Sequence, residues 1–175
     1  MLRLTAVLFA FTVPTALVAQ EADSNTLLIW GDGWRVTVDE PAGWHGAIEP
    51  AAQWGANLVL YRDSSALATG VGLIRVLVGQ KADEHVEADL ASDMEQYRAR
   101  YPSVRFELLK VHHSSYQTAS GVFVDPGQFR EYVTYLNPGV ERTHFVSVAF
   151  NWPTEPETAD LDAYRAVVAS VRVIE

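Results

Sequence analysis

Apolar and polar residues alternate with a period of two over several short stretches of the chain, and recur with helical spacing over two longer ones. Residues 27–30 form a short apolar run, Gly31-Asp32-Gly33 reads as a turn, and Trp34-Arg35-Val36-Thr37-Val38 alternates, which together predict a hairpin. Asp39-Glu40-Pro41-Ala42-Gly43-Trp44 breaks the pattern and opens a loop. Residues 50–55 are open between one helical turn and more loop. Strands are predicted over 57–61 and 71–78, joined by a polar, small-residue loop over 63–70.

The spacing predicts a long helix over 82–101. Val86, Leu90, Met94, Tyr97 and Tyr101 fall within an arc of roughly 80° at about 100° per residue, which makes one buried stripe. Asp83 is its expected cap, Arg98 and Arg100 suit its negative end, and Pro102 stops it. Strands are predicted over 104–111, 119–124, 129–136 and 144–152. Asp125-Pro126-Gly127 reads as a type II turn, with Pro fixing φ and Gly accepting a positive one, and Asn137-Pro138-Gly139 repeats the device. Over 129–136 both alternating sets are mixed in character, as in a strand covered on both sides. A second helix is expected over 160–169, its stripe formed by Leu161, Tyr164, Val167, Val168 and Val171, with a short final strand after it. Strands, helix, strands, helix in this order predict an α+β fold, an antiparallel β-sheet with packed helices.

The first residues follow a different rule. Arg3 gives a short positive start, 4–18 are uncharged and mostly apolar, and Ala19 stands in a small-residue region before Glu21 and Asp23. This is the layout of a secretory signal peptide over 1–19, cleaved after Ala19 or, as the alternative, Ala22. The run is shorter than the roughly 20 residues of a spanning helix and Pro14 interrupts it, so an uncleaved anchor is the lesser reading. Residues 20–26 are expected to be a flexible lead and 27–175 one α+β domain. The mature protein is then exported, soluble in a periplasm-like space or outside the cell, with no membrane span.

Composition narrows the function. The chain has 175 residues, 49 % hydrophobic and 20 % charged, too apolar for a disordered segment. Its net charge of −9 argues against general nucleic-acid binding. Without cysteine there is no disulfide framework, zinc ribbon, iron–sulfur site or thiol chemistry.

The loop Pro41 to Trp44, the Ala82-Asp83-Glu84-His85-Val86 helix start, the Arg142-Thr143-His144-Phe145 strand entry and the closing helix from Leu161 through Val168, followed by Ser170-Val171-Arg172-Val173, resemble the PsbP-like and DcrB-like families of exported proteins. The resemblance implies an α/β/α sandwich around an antiparallel sheet. It further implies an accessory or partner-binding role with no shared catalytic residues; a protein partner and no cofactor are the expectation.

Candidate chemistry is sparse. There is no Gly-x-Ser-x-Gly elbow, no His-Glu-x-x-His, and no phosphate-binding glycine loop. His112 and His113 are adjacent, so on a strand they point to opposite faces and cannot chelate one ion unless the strand bulges, and the pair reads first as a solvent-facing strand end. A copper or zinc site would need His144 or His85 from a neighbouring element and a carboxylate as well. The expectation is therefore no metal, with these four histidines as the candidates and a small-ligand or metal carrier as the alternative function. Asp32, Asp39, Glu40 and His45 crowd the first loops and could build an acid–base pair, but nothing to orient a substrate accompanies them, which leaves hydrolysis the least favoured reading. Trp44, His45 and Trp54 are the candidates for a partner or ligand surface, since Trp44 and Trp54 flank one loop and could line a groove or plug an open end of the sandwich. Asp83, Glu84, Glu87, Asp89, Asp93 and Glu95 are read as a solvated acidic helix face, able to steer a basic partner. Tyr132, Tyr135 and Phe145 look carbohydrate-like, but alternation sends some of them to the core.

Overall fold

The computed structural model describes residues 25–174, so the expected leader and nearly all of the lead fall outside the described residues. The strands are β1 (Thr26–Gly31), β2 (Trp34–Asp39), β3 (His45–Ala47), β4 (Leu58–Tyr61), β5 (Ile74–Gln80), β6 (Arg105–Leu108), β7 (Gln117–Asp125), β8 (Phe129–Asn137), β9 (His144–Trp152) and β10 (Arg172–Ile174). The helices are α1 (Ser65–Thr69), α2 (Val86–Arg100) and α3 (Thr158–Ser170), with a 3-10 helix η1 at Glu49–Trp54. The fold is α+β, as the pattern predicts.

Two antiparallel sheets form. Three strands run in the order β1-β2-β10, and seven in the order β3-β4-β5-β9-β8-β7-β6. Every pair is antiparallel; β1–β2, β7–β8 and β8–β9 are joined by short loops, while η1, α1 and α2 occupy the longer connections between β3, β4, β5 and β6. The β7–β8 connection is the expected Pro-Gly turn: the Gln128 N–H donates to the Asp125 carbonyl at 3.0 Å and Gly127 takes φ +79°.

The large sheet is buried on both sides. On one face Leu58, Leu60, Val76, Val148, Phe150 and Leu136 pack against Tyr164, Val167 and Val168 of α3 and against Ile29, Val36 and Val38 of the small sheet. On the other, Val133, Tyr135, Phe123 and Phe145 pack against Val86 and Leu90 of α2. Ala51 and Ala66, from η1 and α1, cover Val59 and Leu73 further along the same face. Residues 132–137 of β8 are all buried, which is the two-sided strand the sequence predicts. It also answers the carbohydrate-like reading, because Tyr132, Tyr135 and Phe145 are each core residues. Inside the α3-side core, Tyr164 and Thr134 share a hydrogen bond at 2.6 Å and Thr134 donates to Ser120 at 3.0 Å, so the buried hydroxyls satisfy one another.

Several boundaries differ from the expectation. The long helix starts at Val86, not at residue 82. Its N-cap is His85, in extended backbone (φ −115°, ψ 127°) and without a side-chain cap bond. Asp83 does not cap it; instead Asp89, one turn inside the helix, accepts from the Ala82 N–H at 3.1 Å and holds the entering chain. The strand expected to reach residue 111 ends at Leu108, and the segment 63–70 holds the one-turn helix α1, started by the Asp63 carboxylate accepting from Ser65 N–H at 2.8 Å. The short strand β3 had no alternation to announce it.

Leu136 is fully buried and Leu108 is 86 % exposed. Leu136→Ala should cost about 2–5 kcal/mol, whereas Leu108→Ala should stay within about 0.5 kcal/mol of the parent. Urea unfolding of the two variants side by side checks both values.

Candidate binding trough

The helices do not cover their shared sheet face completely. Alternation places Val59, Arg75, Ala149 and Val133 in one row across β4, β5, β9 and β8, and Leu77, Ser147 and Tyr135 in the next. Helix α2 lies over the β7–β8 side and η1 with α1 over β4. The strip of β5 and β9 between them is left as a trough. Leu77 on its floor is 36 % exposed although it sits in the middle of a seven-stranded sheet.

A hydrogen-bonded network of charges lines this trough. Arg75 forms an ion pair with Glu131 across the sheet, and the Tyr97 hydroxyl of α2 donates to the other oxygen of the same carboxylate. The Tyr135 hydroxyl donates to Asp93 of α2. Burial pushes both tyrosine hydroxyls well above the ordinary phenol range, helped by these carboxylates, so they stay protonated as donors. Burial also raises the Asp93 carboxyl, partly offset by the Tyr135 hydrogen bond and reinforced by the charge of Glu131. Three buried polar atoms at the trough have no hydrogen-bond partner: Trp54 Nε1 on the η1 wall, and Arg75 Nε and Asn151 Oδ1 on the floor. Such atoms cost free energy unless something completes them. Towards the end of α2 the trough widens into a cavity of about 650 Å³, with Tyr97, Tyr101 and Phe129 as its aromatic side.

The residues singled out from the sequence fare unevenly. Trp54 stands on the trough wall, half-buried, its ring against Gly70, where φ is +72° and a side chain would collide with the indole. Trp44 does not join it. It is buried to 5 % in the opposite core, edge-on to Phe150 at 6.2 Å, because the sheet itself lies between the two tryptophans. Trp44 is thus a packing residue, and of the two readings of the pair the shared groove is the one that the geometry does not give. His45 is exposed on β3, its ring 6.0 Å from that of Tyr61 and away from the trough.

The four histidines proposed for metal are dispersed: His85 at the N-cap of α2, His144 at the start of β9, and His112 and His113 in the segment after β6. No group of three or more metal-ligating side chains occurs among the described residues. His112 is exposed, and His113 is buried and structural, not part of a solvent-facing strand end. Its ring stacks on Tyr116 at 4.4 Å, Nδ1 accepts from the Ser115 and Tyr116 N–H groups at 3.1 Å each, and Nε2 lies 3.1 Å from the Val171 carbonyl. Two donors on Nδ1 leave the proton of the neutral ring on Nε2, aimed at Val171. The acidic helix face is also smaller than expected, since Asp89 is buried and Asp93 turns into the trough. Arg75, Glu131 and Asn151 were not singled out at all. Their signal is a charged or polar side chain at a position whose neighbours two residues away on the same strand face are apolar.

An antiparallel sheet covered by helices on one side, and by a helix and a small sheet on the other, is the PsbP-like fold. Among solved structures, the chain is similar to the solution structure of cyanobacterial PsbP (CyanoP) from Synechocystis sp. PCC 6803. The TM-score is 0.50 at 15 % identity, over 93 % of this chain and 100 % of that one. No family model and no curated protein sequence matches the chain. No helix among the described residues is long and apolar enough to cross a membrane.

Burial, aided by the charge of Arg172, holds the His113 pKa below the ordinary 6.5. In that window the unfolded chain binds the proton and the folded one does not, so stability is fully present above pH 6.5 and falls as the pH drops. Urea unfolding between pH 7 and 5 should show this decline, with a shallower slope in His113→Gln.

Proposed function

We propose that the protein is an exported accessory or binding protein that works through protein contacts, holding part of its partner in the trough between α2 and η1. The observation that carries the reading is the trough itself: a partly apolar strip of sheet left open between two helical covers, with three buried polar atoms on its floor and wall awaiting partners. A partner segment would bury Leu77 and complete those hydrogen bonds at once, which gives both area and specificity. The PsbP-like fold supports the accessory role, and the apolar start of the chain supports export.

The site is read as one for binding and not for turnover. Both oxygens of Glu131 and one of Asp93 are held by Arg75, Tyr97 and Tyr135, whose hydroxyls resist ionisation. Fixed donors on fixed carboxylates make a rigid recognition surface.

The test is capture from the native host. The chain, tagged at its C-terminus and exported through its own leader, is crosslinked mildly, and what co-purifies is identified by mass spectrometry. One saturable partner should appear with the parent and with Leu108→Ala, and should be lost with Leu77→Arg, which fills the trough floor. A partner retained by Leu77→Arg, or none captured by the parent, would overturn the reading. Thermal melting of Leu77→Arg confirms that it is folded.

A further inference from the structure

We propose that the α2 end of the trough is a pocket for an organic cation, an ammonium or guanidinium group; this rests on reading the trough as a binding site. Three features of the cavity point the same way.

The first is charge. Glu131 is neutralised by Arg75, but Asp93 has no such counter-ion among the described residues: the charges acting most strongly on it are those of Glu131 and Asp89, both negative. A cation at this place relieves that repulsion, and an anion would add to it. The second is hydrogen-bond capacity. Tyr135 engages one Asp93 oxygen, Oδ2, and the Asn151 Oδ1 acceptor is buried without a donor. Both call for a ligand that donates, and an ammonium offers three N–H donors and a guanidinium five.

The third is the aromatic wall. The Tyr97, Tyr101 and Phe129 rings lie 5.0–6.1 Å apart between centroids and form one side of the cavity. Ring faces carry negative quadrupole charge and attract cations. Arg100, itself part of the cavity lining, already makes such a contact, its guanidinium 5.5 Å from the Tyr101 ring centroid. Acids, an orphan acceptor and ring faces around one cavity of about 650 Å³ give room for the head group and the first methylenes of its chain.

The cation has two possible sources, a free amine or a lysine or arginine side chain of a protein partner. The test separates them. The folded chain, isotope-labelled, is titrated with n-butylammonium chloride, with an acetylated, amidated Ala-Ala-Lys-Ala-Ala peptide, and with the same peptide carrying norleucine. Binding is followed by amide chemical-shift changes. The two cationic probes should shift resonances of 93–101 and 129–131, and the norleucine peptide should not. Asp93→Asn, which keeps an acceptor for Tyr135, and Tyr101→Ala should each weaken the lysine peptide at least tenfold, while Leu108→Ala leaves it unchanged. A lysine peptide binding tenfold or more tighter than butylammonium assigns the pocket to a partner side chain, and equal binding assigns it to a free amine. Norleucine binding as well as lysine, insensitivity to Asp93→Asn, or no binding of either cation would overturn the cation assignment. If the cations fail while Leu77→Arg still abolishes partner capture, the trough stands without its cation pocket; if both fail, both readings fall.

Discussion

The two-sided burial of β8 and β9 is the constraint on which the rest depends. A strand buried on both faces must supply core residues at every position, and β8 does so: Tyr132, Thr134 and Leu136 go to the α3 side, Val133 and Tyr135 to the α2 side. Once those strands lie at the centre, hydrogen-bond register dictates what each neighbour presents. Tyr135 stands opposite Ser147, which stands opposite Leu77; Val133 stands opposite Ala149, which stands opposite Arg75. The small residues of β9, Ser147 and Ala149, lower the floor on the α2 side, and no helix is placed to fill the space above them. The trough is therefore a consequence of helix placement over a fixed strand register, and not of a mobile loop.

That geometry explains why charge is tolerated inside it. Taking an arginine and a glutamate partly out of water costs several kcal/mol per ion unless each is paired and hydrogen-bonded. Arg75 and Glu131 meet across β9, the Tyr97 hydroxyl takes the remaining carboxylate oxygen, and Tyr97 is itself fixed by stacking on Phe123 at 4.1 Å. The network thereby ties α2 to the sheet by polar bonds in addition to its apolar stripe. Breaking one member exposes the others to the desolvation cost, so the arrangement is rigid as a unit. The Arg75 Nε and Asn151 Oδ1 atoms are the places where this network stops short of closing.

Much of the fold was legible because it rests on periodicity. The two helix stripes, the alternating strands, the Pro-Gly turn and the mixed character of β8 each follow from apolar spacing and local turn chemistry. The site was less legible, for reasons that residues make plain. Asp93 belongs to a run of helix acids, which invites a single reading of the whole face as solvated. Yet at about 100° per residue Asp93 lies roughly 20° from Val86 and 40° from Tyr97, within reach of the buried stripe. Its angular position separates it from Glu95, which faces away. Trp44 and Trp54 stayed open between two readings for the opposite reason. They are close along the chain, but β4 and the sheet come between their side chains, and only the pairing of β3 with β4 reveals which face each one takes. Arg75 and Glu131 lie 56 residues apart and meet only through β9, so no local spacing could pair them.

Charge operates at two ranges in this molecule. The exposed acids of α2, Glu87 and Glu95 among them, act through solvent and are screened over roughly 8 Å at physiological ionic strength. They can raise the local concentration of a basic partner and so its rate of arrival, but they contribute little to how long it stays. Asp93, half-buried beside Tyr97 and Tyr135, is sheltered from salt and fixed in direction by a hydroxyl donor. In the proposed cation pocket it would bear on what remains bound after arrival. Added salt should therefore slow association more than it hastens release, because the groups that steer lie in solvent and the group that selects does not.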